Sequence, residues 1–350
     1  MEDHKKKRAV AIWLLAGVFM IVVQTLLGGI TRLTDSGLSM TQWAPIKGAL
    51  PPLNEKEWNE AFNGYKQIGQ YKYMNSDFTL HDFKFIFFWE WFHRLWARML
   101  GVVFLIGFVW FLAKKYFDRK MIKPFVILFL LGALQGAIGW IMVVSGLNDT
   151  HLYVDHIKLA THFVSAMILA CYTLWFALQL LIPEEKRIAD KSLHNFTVII
   201  IALLFIQLVY GAFMAGLRAA RAAPTWPGIN GEWVPAGILS HSFINYSTNV
   251  HFIHRSMASV LFVLIIWWFI KALKLNKIKG KTLFSNSSRW PVILICFQAV
   301  LGICTVLSAP TIIMGKFGQY QVLAELHQLV AMFLLMSLLV NLYVLKKTAK

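Results

Sequence analysis

Charge is scarce in this chain of 350 residues: 15% of it is Asp, Glu, Lys or Arg, against 58% hydrophobic residues and a mean hydropathy of +0.59. That shortage excludes an ordinary soluble domain and sends the apolar residues into membrane spans. Acidic residues are scarcer still, 17 against 34 Lys and Arg, for a net charge of +17. Cysteine is nearly missing. Cys171, Cys296 and Cys304 all fall inside apolar runs, which argues against a disulfide on the outer face. The first apolar run lacks an A-x-A-like cleavage site and is long enough to span. It therefore reads as an uncleaved helix rather than a signal peptide.

Eight apolar runs stand out, at 10–29, 85–113, 122–145, 156–182, 195–217, 248–270, 291–308 and 321–345. Each is near the roughly 20 residues that carry a helix across a hydrocarbon core of about 30 Å. A helix is required because backbone polar groups find no water there. The expected fold class is an all-α integral membrane protein with eight transmembrane helices. Of the 34 Lys and Arg, 21 lie in the N-terminus, 113–123, 183–194, 271–290 and 346–350. The opposite-side segments hold nine over nearly twice that length, and Arg94, Arg98, Lys158 and Arg255 remain inside helices. The positive-inside rule puts both termini in the cytoplasm. The net charge is then a topology signal suited to anionic membrane lipid, and it calls for no nucleic acid.

The odd-numbered runs repeat Q-x-x-x-G, as QTLLG (Gln24 to Gly28), QGAIG (Gln135 to Gly139), QLVYG (Gln207 to Gly211) and QAVLG (Gln298 to Gly302). The spacing puts Gly one turn from Gln on one face, which allows close approach by a neighbour or a ligand. Ordinary small-residue packing explains it as well. The even-numbered runs each carry a histidine several residues in from the outer end: His93, His162, His254 and His327. His93 and His254 are both followed by Arg. The halves are offset by 161 to 165 residues at the histidines, 163 at Gln135/Gln298 and 183 at Gln24/Gln207. The loop 30–84, some 20 residues longer than 217–247, accounts for the larger offset. The expectation is two pseudo-symmetric four-helix bundles, residues 1–190 and 191–350. An even number of spans per half makes the repeat parallel, unlike the inverted repeats of many transporters.

A lone histidine in a span is most often a packed, hydrogen-bonded residue. Four at one depth, one per even helix, are harder to dismiss, because intramembrane ionisable groups are costly and mark function. Two imidazoles facing each other across a four-helix bundle can hold a haem iron axially. Zinc would need three or four close ligands, and each half offers two deep histidines. His251, one turn above His254, makes a weaker metal pair. Arg94 and Arg255 could pair with haem propionates, with Arg32, Arg98 and Arg218 as further candidates; snorkelling to the interface would explain any one of them.

Glu90 precedes His93 by three residues and shares its face. The matching position in the second half is His251, while Glu325, two before His327, is turned to a different face. This asymmetry reads as a plain bis-histidine haem in the second half, suited to electron transfer. The first half would hold a haem with an acid/base group at its edge. A carboxyl among Phe and Trp side chains suits proton transfer near neutral pH. A Glu90–Arg94 ion pair at i+4 is the structural alternative, compatible with the first.

Three segments resemble a known family. GGITRLTDSGLSMTQWAPIKGALPP (28–52) and EWFHRLWARMLG (90–101) are similar to haem A synthase, in its mitochondrial and proteobacterial branch. TWPGINGEWVP (225–235) resembles that family's T-[WF]-P-x-[MI]-x-G segment. Two departures stand out. Residues 30–84 contain no cysteine, unlike the Gram-positive branch with its outer-loop cysteine pair, and GLRAARAAPTWPG lacks the acidic or Asn-containing lead-in often seen.

The resemblance implies an eight-helix enzyme that oxidises a methyl group of haem O to formyl. Two successive monooxygenations, with dioxygen as co-substrate, give a gem-diol that loses water. It implies that His93 and His162 flank the substrate haem, that His254 and His327 hold a haem B cofactor, and that Glu90 is the functional glutamate. It places the chain in a bacterial inner membrane, with the haem sites toward the periplasm. Haem O synthase and an unidentified electron donor are the expected partners, and a homo-oligomer is compatible with the sequence. The rival is a di-haem electron carrier of the cytochrome b type, which needs neither Glu90 nor the long first loop. A haem or lipid transporter is a third reading, disfavoured by the parallel halves.

Overall fold

Apolar runs this long satisfy their own backbone hydrogen bonds by becoming helices. The computed structural model describes residues 2–43, 47–312 and 317–347. Residues 44–46 of the 28–52 segment and 348–350 of the basic tail lie outside them. Eight helices are long and apolar enough to cross a membrane. They are α1 (Glu2–Leu33), α2 (Leu80–Ala113), α3 (Arg119–Val144), α4 (His156–Leu181), α5 (Lys191–Gly216), α6 (Ser247–Lys279), α7 (Trp290–Leu307) and α8 (Gln319–Val344). The protein is an all-α integral membrane protein.

The ends differ from the sequence expectation for local reasons. α2 starts before residue 85 because Thr79 and Asp82 cap it reciprocally, with Thr79 N donating to Asp82 Oδ2 at 2.9 Å,. α6 runs past residue 270 through Lys271, Lys274, Lys277 and Lys279. Lysine is a good helix former, and the helix stops at Gly280, whose φ of +72° suits glycine,.

The long first loop is not open coil. It contains two helices, Glu55–Tyr65 and Gly69–Met74, which the hydropathy pattern did not reveal. Phe62 and Tyr65 are buried against Phe83 of α2, with ring centroids 5.0 and 5.4 Å apart. The loop is thus packed as a cap on the start of α2.

In the first half, α1 packs on α2 and α4, and α3 packs on α4. In the second, α5 packs on α6 and α8, and α7 packs on α6 and α8. The halves meet through α4 on α5 and through α8 on α4 and α1. The largest buried cluster lies in the second half, around Leu261, Ile265, Trp268 and Met332. The ends of α1 and α5 come together. Arg32 Nη1 donates to Ala215 O at 3.3 Å, and Arg218 is ion-paired with Asp35. Both pairs are separated by 183 residues, the offset between Gln24 and Gln207. Asp35 and Arg218 both have left-handed backbones, with φ of 58° and 52°.

Candidate functional site

Each Q-x-x-x-G glycine faces the histidine of the next helix. A Cβ on Gly28 would lie 3.2 Å from His93 Nε2, and one on Gly139 2.7 Å from His162 Cε1. A Cβ on Gly211 would lie 3.3 Å from His254 Cε1, and one on Gly302 3.0 Å from His327 Cε1. The close approach is therefore to an imidazole, so the motif does more than tighten helix packing. The sequence displayed both partners of each pair without joining them, since they lie on different helices.

Three of the four glutamines bind their histidine. Gln135 Nε2 lies 3.2 Å from His162 Nδ1 and donates to His162 O at 3.0 Å. Gln207 Nε2 lies 3.1 Å from His254 Nδ1 and donates to His254 O at 3.0 Å. Gln298 Nε2 lies 3.2 Å from His327 Nε2. Such contacts fix ring orientation, as outer-shell partners of metal-binding histidines do. Gln24 is the exception: its Oε1 is buried with no hydrogen-bond partner among the described residues.

His254 and His327 face each other with ring centroids 6.4 Å apart and planes at 70°. An iron bound axially by two imidazoles needs centroids roughly 6 Å apart. The buried Nδ1 of His327 has no hydrogen-bond partner among the described residues. The pair fits a haem. His93 and His162 belong to the first half in the same arrangement, on α2 and α4.

Glu90 is 2% exposed, and both its oxygens are engaged. Oε2 accepts from Ser39 Oγ at 2.7 Å and from Met40 N at 2.8 Å. Oε1 accepts from Arg94 Nη2 at 2.5 Å. Arg94 also donates to Gln42 O at 3.2 Å and Met40 O at 3.0 Å. The ion pair and the loop contacts form one network that fastens residues 39–42 over α2. Ser39 was not legible as part of the site, because nothing in its sequence neighbourhood points to α2.

Arg255 does the same in the second half without a carboxylate. Its Nη1 donates to Thr225 O at 2.8 Å, and its Nη2 donates to Ala223 O at 2.6 Å. That guanidinium also lies 3.4 Å from His251 Nε2, and His251 is fully buried. Arg94 and Arg255 are thus the anchors of two loops. Arg32 and Arg218 sit where α1 and α5 meet, and Arg218 stacks over Tyr153 at 3.6 Å. Burial raises the hydroxyl pKa of Tyr153, so it stays neutral beneath the cation,. Arg98 lies one turn beyond Arg94 on α2. Glu325 turns toward Gly29 of α1, at the seam between the halves, and Gln328 Nε2 donates to Thr25 O at 3.2 Å there.

These features define an eight-span membrane protein with a pair of histidines on the even helices of each half, set against glycines on the odd ones. Residues 11–339 match the COX15-CtaA family, described as cytochrome oxidase assembly protein. The chain belongs to that family. It is 38% identical over 352 residues to the heme A synthase of Flavobacterium johnsoniae, covering 98% of this chain and 99% of that protein. It is 40% identical to the heme A synthase of Rhodopseudomonas palustris strain HaA2, covering 87% of this chain and 84% of the relative. With that of Parvibaculum lavamentivorans the identity is 37%, over 89% of each chain.

Proposed function

We propose that this protein is a haem A synthase. The observation that carries this is end-to-end similarity to curated heme A synthases, together with four histidines that each face a glycine of the neighbouring helix. The substrate is haem O, and one of its methyl groups becomes a formyl group. Each of two monooxygenations consumes one dioxygen, two electrons and two protons and releases one water. The gem-diol then loses a further water.

Residues 1–190 hold the substrate at His93 and His162, and residues 191–350 hold haem B at His254 and His327. Bound haem B supplies electrons. Gln207 and Gln298 orient its two imidazoles, and Gly211 and Gly302 leave room for them. At the first site, Glu90 and Arg94 hold the loop 39–42 as a lid that keeps water out. Glu90 Oε1, shared with Arg94 alone, is the oxygen able to take a proton. Arg32, Arg94, Arg98, Arg218 and Arg255 are the cations within reach of propionates. The termini face the cytoplasm of a bacterial inner membrane, and the long loops cap the sites from the periplasm. Haem O synthase, which makes the substrate, is the natural partner.

Haem extraction tests the reading. The chain is expressed in a host that makes haem O but no haem A, and the pigments are separated and weighed. Haem A or its alcohol precursor is expected. Untouched haem O beside haem B would overturn the enzyme and favour an electron carrier.

A further inference from the structure

The halves differ most between their second and third helices. α6 packs along α7, whereas among the described residues α2 and α3 make no comparable backbone approach. They touch near their two ends. Phe108 meets Phe125 with centroids 5.7 Å apart, and the Arg94 guanidinium lies over Trp140 at 5.8 Å. Between these contacts runs a groove.

Its walls are small. Ala97 and Gly101 follow His93 by one and two turns on the same face of α2. Gly132 and Gly136 share the face of α3 that carries Gln135 and Gly139. All four are exposed, although these faces point to the bundle. A Cβ added at Gly101, Gly132 or Gly136 would meet nothing within 4 Å.

The second half fills the same place. The offset of 161 residues carries Gly101 to Phe262, and the offset of 163 carries Gly132 to Ile295. Phe262 packs against the large core, and Ile295 is 5% exposed within it. One half thus has bulk where the other has open space beside a histidine pair. The two haems assigned above differ in a matching way. Haem B is a bare macrocycle, whereas haem O carries an isoprenoid tail in place of one vinyl group.

We propose that the groove between α2 and α3 holds the isoprenoid tail of the substrate haem, running from the His93–His162 pair toward Phe108 and Phe125. This rests on the haem A synthase reading. In a bilayer the tail gains little hydrophobic free energy by leaving lipid, so the groove acts by close fit. The fit fixes how the macrocycle is rotated between the two imidazoles. That rotation decides which methyl group is presented for oxidation. The groove is therefore a specificity device as well as a place for the tail.

The test gives the first half the residues of the second. Full-length Gly101→Phe/Gly132→Ile protein, carrying its resident haem, is titrated in lipid nanodiscs with haem O and separately with haem B. At least tenfold weaker binding of haem O is expected, with the tail-less haem changed less than twofold and the resident haem retained. Haem O binding and conversion equal to the parent protein would overturn the proposal, as would equal weakening of both haems. Single Gly101→Leu and Gly132→Leu variants guard against misfolding of the double variant. Each should show the same selectivity for the tailed haem with resident haem retained, and an unselective loss in both overturns the groove. A parent protein that binds haem O but never oxidises it would refute the enzyme, while the selective binding loss would still establish the groove.

Discussion

In the last four helices both odd-helix glutamines hold a histidine; in the first four Gln135 does, and Gln24 leaves His93 alone. The same histidine–arginine step also serves different chemistry in the two halves. Arg94 shares its loop with a carboxylate, Glu90, whereas Arg255 has the imidazole of His251 beside it. The second half has bulky packing beside its histidines, and the first has glycine. A site with both ligands pinned and its surroundings filled suits a group that stays. A site with one ligand unpinned and an open flank suits a molecule that must arrive, turn over and leave.

The comparison breaks most visibly at the histidines. His254→Ala or His327→Ala should remove the resident low-spin haem and lower haem A formation at least a hundredfold. His93→Ala should abolish conversion while leaving that haem in place, read by absorbance of the purified protein. If His93→Ala instead lost the resident haem and His254→Ala kept it, the two halves would have their roles exchanged.

Glu90→Ala comes next. It leaves Arg94, Ser39 and Met40 N without their acceptor, and breaking such a buried pair costs about 3–5 kcal/mol. Haem A yield should collapse with the resident haem kept, and protease cutting within 39–42 should accelerate. Glu90→Gln separates the two duties: a lid restored without activity assigns the proton step to the carboxylate, and restored haem A yield would leave it a structural pin.

The glycines sharpen the comparison further. Gly302→Ala places a methyl 3.0 Å from His327 Cε1, so resident haem should dissociate roughly tenfold faster. Gln207→Ala frees the ring of His254 and should weaken haem retention by about 10–100-fold. Gln24→Ala, with no histidine to release, should leave haem retention unchanged. The smallest effect is expected from Asp35→Asn, which weakens a partly exposed ion pair between α1 and α5. A loss of about 1 kcal/mol or less in thermal unfolding is expected.

The eight spans were legible because a bilayer demands some 20 apolar residues per crossing, whatever the neighbours. The histidines were legible because ionisable groups at membrane depth are costly and stand out against Leu and Phe. Glu90 and Arg94 were legible as an i+4 pair, since the helix fixes that geometry locally. The loop helices at 55–65 and 69–74 were not read, because their stability comes from Phe62 and Tyr65 packing on α2,.

By itself, then, the sequence determined the number of helices, the depth of the histidines and the asymmetry between Glu90 and His251. These follow from hydropathy and helical period, which are local. Tertiary structure alone decided that each Q-x-x-x-G glycine meets a particular imidazole, that Glu90 reaches Ser39 and Met40, and that α2 and α3 stand apart where α6 and α7 close. Those contacts join residues distant in the chain, and only the packing of whole helices sets which side chains come within a few ångströms of one another.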